Sequence, residues 1–383
     1  MPSPTATPKP TPSPTPSATP LRPLTFVATG SMHTARSQAT ATLLQNGKVL
    51  IAGGSSTPGG TIDIYASAEL YDPTTGKFTT TGSMTVARTD ATAVLLGNGK
   101  VLIAGGYGCA NGKVCHNVDS ESTISFPSAE LYDPTTGKFT PTGSMAEAWV
   151  GWPAVLLPDG QVLVTGVNGE GAELYNPDSG KFTRTAKEAV MQSDNTATLL
   201  PNGKVLVTGS TFAGDTVAQL YDEASAKFTT ISIALPARTP LAQYQGLDVP
   251  RVGPETATLL PDGRVLFFEG GYLETYDPTS GACADGGFIS PEASWDGPTA
   301  TLLPDGRVLF QGGELKSQVT DLSGVPTKTA VLYDPTGGPL RTGTTNAPRS
   351  ADTATLLPGG SVLIAGGMGT DYYAVSSAEL FKP

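Results

Sequence analysis

The chain of 383 residues holds only two histidines, His33 and His116, and three cysteines, Cys109, Cys115 and Cys283. Imidazole suits copper and other late transition metals, so this scarcity argues against such a centre. None of the cysteines has the CxxC spacing of zinc or redox sites. Cys109 and Cys115, six residues apart in YGCANGKVCHN, are expected to close a small disulfide, with Cys283 left without a partner. Charge is sparse too, at 15% of residues, and biased to acid, with a net charge of -11 at pH 7. That excludes a nucleic-acid partner from the expectations, since binding a phosphate backbone needs a basic surface to release counterions. Apolar runs stay short, KVLIAGG being typical, far below the roughly 18 residues that span a bilayer. The start of the chain has no signal-peptide apolar core, and no segment shows helical periodicity.

What is abundant is turn chemistry: Gly 46 and Pro 33 point to many tight turns and a β-rich fold. The first 23 residues, MPSPTATPKPTPSPTPSATPLRP, are a Pro/Thr/Ser tract, too poor in apolar surface to fold and inclined to an extended spacer. Residues 1–23 are therefore expected to be a linker or stalk. They suggest an exported, secreted or surface protein whose targeting segment is not in this chain.

From residue 24 onward one sentence recurs. With the turn glycine as register mark, it stands at Gly47 (ATLLQNGKVLIAGG), Gly99, Gly160, Gly203, Gly263 (TATLLPDGRVLFFEGG), Gly306 and Gly360, spaced 43 to 61 residues apart. TATLL alternates as a strand does, N-G or D-G supplies a tight hairpin, and K/R-V-L-I/F is a second strand ending at a glycine pair. A third strand follows as SAELYDP at 67–73 and its counterparts, then a DPTTGK turn and a fourth strand, KFTTTGSM at 77–84. Seven such units predict an all-β chain, a seven-bladed β-propeller of four-stranded antiparallel blades over residues 24–383. The N-terminal segment, about 24–32, matches a fourth strand, while the C-terminal SSAELFKP matches a third. The two ends should complete the last blade together, leaving no open edge.

The glycine pair after a β-branched strand, followed by an aromatic at Tyr71, Tyr132, Tyr175, Tyr221, Tyr276, Tyr333 and Phe381, resembles the kelch repeat. The variant M-x-x-A-R, ATATLL, NGKVLIAGG, AELYDPTTGKF is similar to bacterial kelch proteins and to the propeller domain of galactose oxidase. The resemblance implies the fold; for function it implies enzymes, sugar binders and docking platforms alike. Galactose-oxidase-like copper chemistry is not expected, because neither His33 nor His116 matches that family's histidine positions.

In such blades the fourth-to-first and second-to-third connections share one face. The position of Arg36 is occupied, blade by blade, by Arg36, Arg88, Trp149, Gln192, Val252 with Arg251 beside it, Trp295 and Arg349. These side chains are expected to ring the channel mouth, with Asp90, Asp194, Asn195, Glu255, Asp296 and Asp352 close by. Guanidinium forks, carboxylates and indole faces would suit a sugar or another polyhydroxylated, partly anionic ligand. The plainer alternative is that the arginines pair with acids to hold blades together, and that Trp149, Trp152 and Trp295 cap blades by packing. The acids also suit a Ca²⁺ ion; no other cofactor is expected. The lysines after Gly47, Gly99 and Gly203 are turn residues rather than parts of a phosphate loop.

The sequence thus favours a monomeric, non-catalytic recognition module for a glycan or protein ligand. The alternatives are a carbohydrate-active enzyme (hydrolase, lyase or epimerase) using the Asp/Arg mouth, and a purely structural repeat domain.

Overall fold

In the computed structural model, residues 23–383 are described, apart from 57–61, 110–114, 119–122, 149, 167–170, 186–192, 211–215, 232, 234–254, 291–294, 317–323 and 339; for 116–118 and 193–195 only the backbone is described. The tract 1–22 lies outside the described residues. Among those described there is no helix, and the strands form seven blades.

In blade 1 the strands Thr40–Leu43, Val49–Ala52, Ala68–Asp72 and Lys77–Thr80 pair antiparallel in that order. The turn glycines Gly47, Gly99, Gly160, Gly203, Gly263, Gly306 and Gly360 all have φ between +79° and +88°, the left-handed region a hairpin of this kind demands. At the other end of the blade the Asp72 carboxylate accepts the Thr74 N–H at 2.9 Å, an Asx turn that hands the chain to the fourth strand.

The inner strands Thr40–Leu43, Thr92–Leu95, Ala154–Leu156, Ser193–Leu199, Thr256–Leu259, Thr299–Leu302 and Thr353–Leu356 touch in sequence, and the last meets the first, so the ring closes. Blade 7 is finished from the far end of the chain: Thr25–Ala28 pairs with Ala378–Lys382, Phe26 opposite Phe381.

Alternation along the second strand builds the core. Val49 and Ile51 face blade 7, while Leu50 and Ala52 face blade 2. The same split recurs around the ring, giving one apolar cluster at each of the seven seams. A strand buried on both faces reads as a continuous apolar run, which is why VLIA carries no polar residue.

The fourth strands are shorter than the sequence suggests, 77–80 instead of 77–84 and 25–28 instead of about 24–32. After them the chain leaves its sheet to bridge to the next blade. The N–H groups of Gly30, Gly82 and Gly143 donate to the carbonyls of Gly76, Gly137 and Gly180 at 2.9, 3.0 and 2.9 Å. A Cβ on Gly82 would stand 2.3 Å from the Gly137 oxygen, so glycine is required there. Beside each of these bonds a tyrosine hydroxyl reaches a threonine of the preceding blade: Tyr71 to Thr29, Tyr132 to Thr81 and Tyr175 to Thr142, each at 2.9 Å.

The long insert of blade 2 folds back over its neighbour. Tyr107–Cys109 pairs with Thr123–Ser125, and Cys115–Val118 pairs with Ile62–Ile64 of blade 1. Cys109 and Cys115 are disulfide-bonded, their Cα atoms 5.8 Å apart.

Candidate functional site

The described connections from a fourth strand to the next inner strand converge at one mouth of the channel. There, two residues past the Arg36 position, the backbone turns left-handed in blade after blade: Gln38 (φ 53°), Asp90 (50°), Gly151 (68°), Gly297 (58°) and Ala351 (50°). These residues are linked across the seams. Gln38 N–H donates to the Ala351 carbonyl at 3.0 Å, Asp90 N–H to the Gln38 carbonyl at 3.1 Å, and Gly151 N–H to the Asp90 carbonyl at 2.7 Å. This backbone belt fixes the rim across blades 7, 1, 2 and 3.

Inside that rim lies a cavity of about 340 Å³, widely open to solvent, lined by residues 38–41, 90–93 and 151–153. The repeat explains where it opens. One residue after the left-handed position, blades 1 and 2 carry Ala39 and Ala91, whereas blades 3, 5, 6 and 7 carry Trp152, Glu255, Pro298 and Asp352. Small side chains on two neighbouring blades leave space, and Trp152 walls it on the third.

Asp90 is the one ionisable side chain among the lining residues. Its Oδ2 accepts a hydrogen bond from Gln38 Nε2 at 2.9 Å, and burial pushes its carboxyl up to about 6. Asp352, on blade 7, is likewise raised to about 6 by burial, against the opposing pull of a hydrogen bond from Gln311 Nε2 at 2.7 Å. The Oδ1 of Asp352 and the Oε1 of Gln311 are buried without a protein partner.

The arginines expected at the mouth are turned inward instead. The side chains of Arg36, Arg88 and Arg349 are at most 1% exposed. Each donates Nη1 to the carbonyl of the first glycine of its pair: Gly53 at 2.6 Å, Gly105 at 2.7 Å and Gly366 at 2.7 Å. Each also meets a third-strand glutamate, Glu69, Glu130 or Glu379. The glutamates do further work: Glu69 accepts the backbone N–H groups of His33 and Thr34, and Glu130 those of Thr85 and Val86. Burial pushes Glu69 up, but these bonds and Arg36 together leave it below the ordinary value. The partner acid therefore comes from the blade the arginine leads into, where it pins the incoming connection.

Trp295 occupies the arginine position of blade 6 and makes the same contact. It is fully buried, its Nε1 donates to the Gly312 carbonyl at 2.6 Å, and its ring meets Phe268 edge-on with centroids 5.5 Å apart. The glutamate position of that blade is Val331, in the same apolar cluster. Trp295 is thus a packing substitute for the ion pair and offers no face to the channel.

The remaining candidates are dispersed. Glu255 accepts the N–H groups of Gly270 and Gly297 at 3.0 and 2.5 Å, and Asp296 pairs with Lys316. Trp149, Gln192 and Arg251, and the side chains of Asp194 and Asn195, lie outside what is described. Among the described residues no three His, Cys, Asp or Glu side chains gather as a metal site, and the His33 ring is engaged with Glu69 at 3.0 Å. Gln38 carried no visible signal in the sequence, and Trp152 reads there as packing. Aligning the three residues after each arginine position separates both from the repeat.

No protein-family model and no curated protein matches the chain in sequence. Solved structures do match in shape. A fungal alcohol oxidase of the AA5 family in complex with copper superposes with a TM-score of 0.66 at 16% identity, over 94% of this chain and 76% of that one. A streptogramin B lyase gives 0.60 at 13% identity, over 94% and 98%, and YjhT gives 0.54 at 14%, over 91% and 96%. At such identities the likeness is one of fold, so the chain is a seven-bladed β-propeller of galactose-oxidase-like fold.

Proposed function

We propose that the protein is an extracellular recognition module that binds a small polyhydroxylated ligand, such as one sugar residue of a glycan, in the cavity against blades 1 to 3. One observation carries this reading: Asp90, Gln38 and Trp152 share a cavity of about 340 Å³, within the size range of small-molecule sites. A carboxylate and an amide beside an indole supply the polar fixing points and the apolar surface that a sugar requires. The Cys109–Cys115 disulfide fits an oxidising compartment, and the composition of the Pro/Thr/Ser tract fits an extended stalk or linker.

The test is titration of monosaccharides into the protein, followed by calorimetry and tryptophan fluorescence, with Trp152→Ala as control. Saturable binding lost in the variant supports the site, and binding that survives it moves the site elsewhere. Asp90 also sustains an enzymatic reading, because a carboxyl titrating near 6 is poised for proton transfer. Conversion of a bound sugar, abolished by Asp90→Asn, would replace recognition by catalysis.

A further inference from the structure

Among the described residues the cavity has one charged side chain and no counter-charge. Apart from Asp90 its lining is amide, hydroxyl, indole, methyl and backbone. Arg88, two residues before Asp90, cannot serve: Nη1 is engaged by the carbonyls of Gly105 and Ser128, and Nη2 by Ser128 Oγ and Glu130. Tyr107, from the second-to-third connection of the same blade, lies near enough for the Asp90 charge to add to burial in raising its phenol, and it is neutral at ordinary pH. Across the seam from blade 1 the facing group is the Gln38 amide. From blade 3 Gly151 and Trp152 line the cavity beside it. Among the described residues Asp90 thus has a single neutral side-chain donor.

We infer that the ligand this cavity selects carries a protonated amine, an amino sugar with its nitrogen free, and that Asp90 is the counter-ion of that ammonium group. The inference rests on the sugar-binding reading above and names the substituent that gives it specificity. A half-desolvated carboxylate with one neutral partner is costly in isolation. An ammonium group supplies up to three donors and a full charge, and the Trp152 indole beside it adds a surface that favours cations. A neutral hydroxyl in the same place returns much less, so the amine should be preferred by about tenfold or more.

The sign of the pH dependence separates this from the obvious rival, in which protonated Asp90 donates to a sugar oxygen. An ammonium ligand binds the anion, so its affinity is full above about 6 and falls as the pH drops below that value. A ligand that needs the protonated acid shows the reverse.

The experiment is calorimetric titration of the full chain with D-glucosamine, D-glucose and choline at pH 7 and pH 5, where a simple amine keeps its proton. The inference expects glucosamine to bind about tenfold or more tighter than glucose at pH 7, with an advantage that shrinks at pH 5. It expects Asp90→Asn to abolish that advantage; asparagine accepts the φ of 50° at this position. Should that variant fold poorly, the wild-type pH profile decides alone. Equal binding of glucose and glucosamine at pH 7 overturns the amine and leaves the sugar site intact. Binding of choline without either sugar upholds the cation preference and removes the sugar reading. Silence from all three removes both.

Discussion

Trp295 donates its indole N–H to the Gly312 carbonyl at 2.6 Å, the bond that Arg349 makes to Gly366 at 2.7 Å one blade further on. In blade 6 the acid is gone as well, its place taken by Val331. The ring therefore contains its own comparison between a buried ion pair and an apolar substitute.

Removing one member of such a pair should be far worse than replacing both. Arg88→Met strands Glu130, which is 1% exposed, at an expected loss of about 3–5 kcal/mol. Adding Glu130→Gln removes the stranded charge while keeping an acceptor for Thr85 and Val86. The double variant is expected to recover at least ~1 kcal/mol relative to the sum of the single changes. Denaturant melts at pH 7 measure this, and strict additivity would count against the coupling.

The tyrosine staples are unequal. Tyr71 bonds Thr29 across the seam between blades 7 and 1, whereas the Tyr221 hydroxyl is buried without a partner. Its expected mate on blade 3, Thr185, turns to its own blade and donates to the Ala172 carbonyl at 3.0 Å. Tyr71→Phe is expected to lose about 1 kcal/mol, and Tyr221→Phe to be neutral or stabilising. Equal losses in thermal melts would contradict the assignment of the staple.

Asp352 should make stability depend on pH in a direction opposite to most carboxylates. Its folded value of about 6 lies above the ordinary 3.8, so the folded state binds the proton more tightly than the unfolded one. The advantage of the neutral form is complete below about 4 and lost as the pH rises through 6. Asp352→Asn should therefore gain about 2–3 kcal/mol at pH 8 and nothing at pH 4. Melting curves of variant and parent at both pH values provide the check, and a gain of the same size at pH 4 would contradict it.

The architecture could be read from the sequence because each of its devices is local. The hairpin glycines, the Asx turns and the two-sided VLIA strands repeat at fixed offsets, and the split blade shows in PLTFVATGSM and SSAELFKP. The candidate site was harder because direction is not local. A motif ending in M-x-x-A-R leaves open whether Arg36 faces the channel or points into its blade to pair with an acid, and Trp295 looks like a departure from the repeat although it preserves a hydrogen bond. The cavity itself arises from the coincidence of Ala39, Ala91 and Trp152 on three consecutive blades. That is a statement about neighbours in space, and each of the three residues is unremarkable in its own repeat.

Phe26 and Phe381 meet at a tilt, their ring centroids 5.3 Å apart, although they come from opposite ends of the sequence. Their meeting has a temporal consequence. Six blades can form from contiguous stretches of chain, but the seventh must wait until both ends have arrived. The entropy of closing a loop grows only with the logarithm of its length, so this late joint weakens the folded state little. It acts on the clock instead, since contacts so distant in sequence slow folding, and until they form the ring has two open flanks.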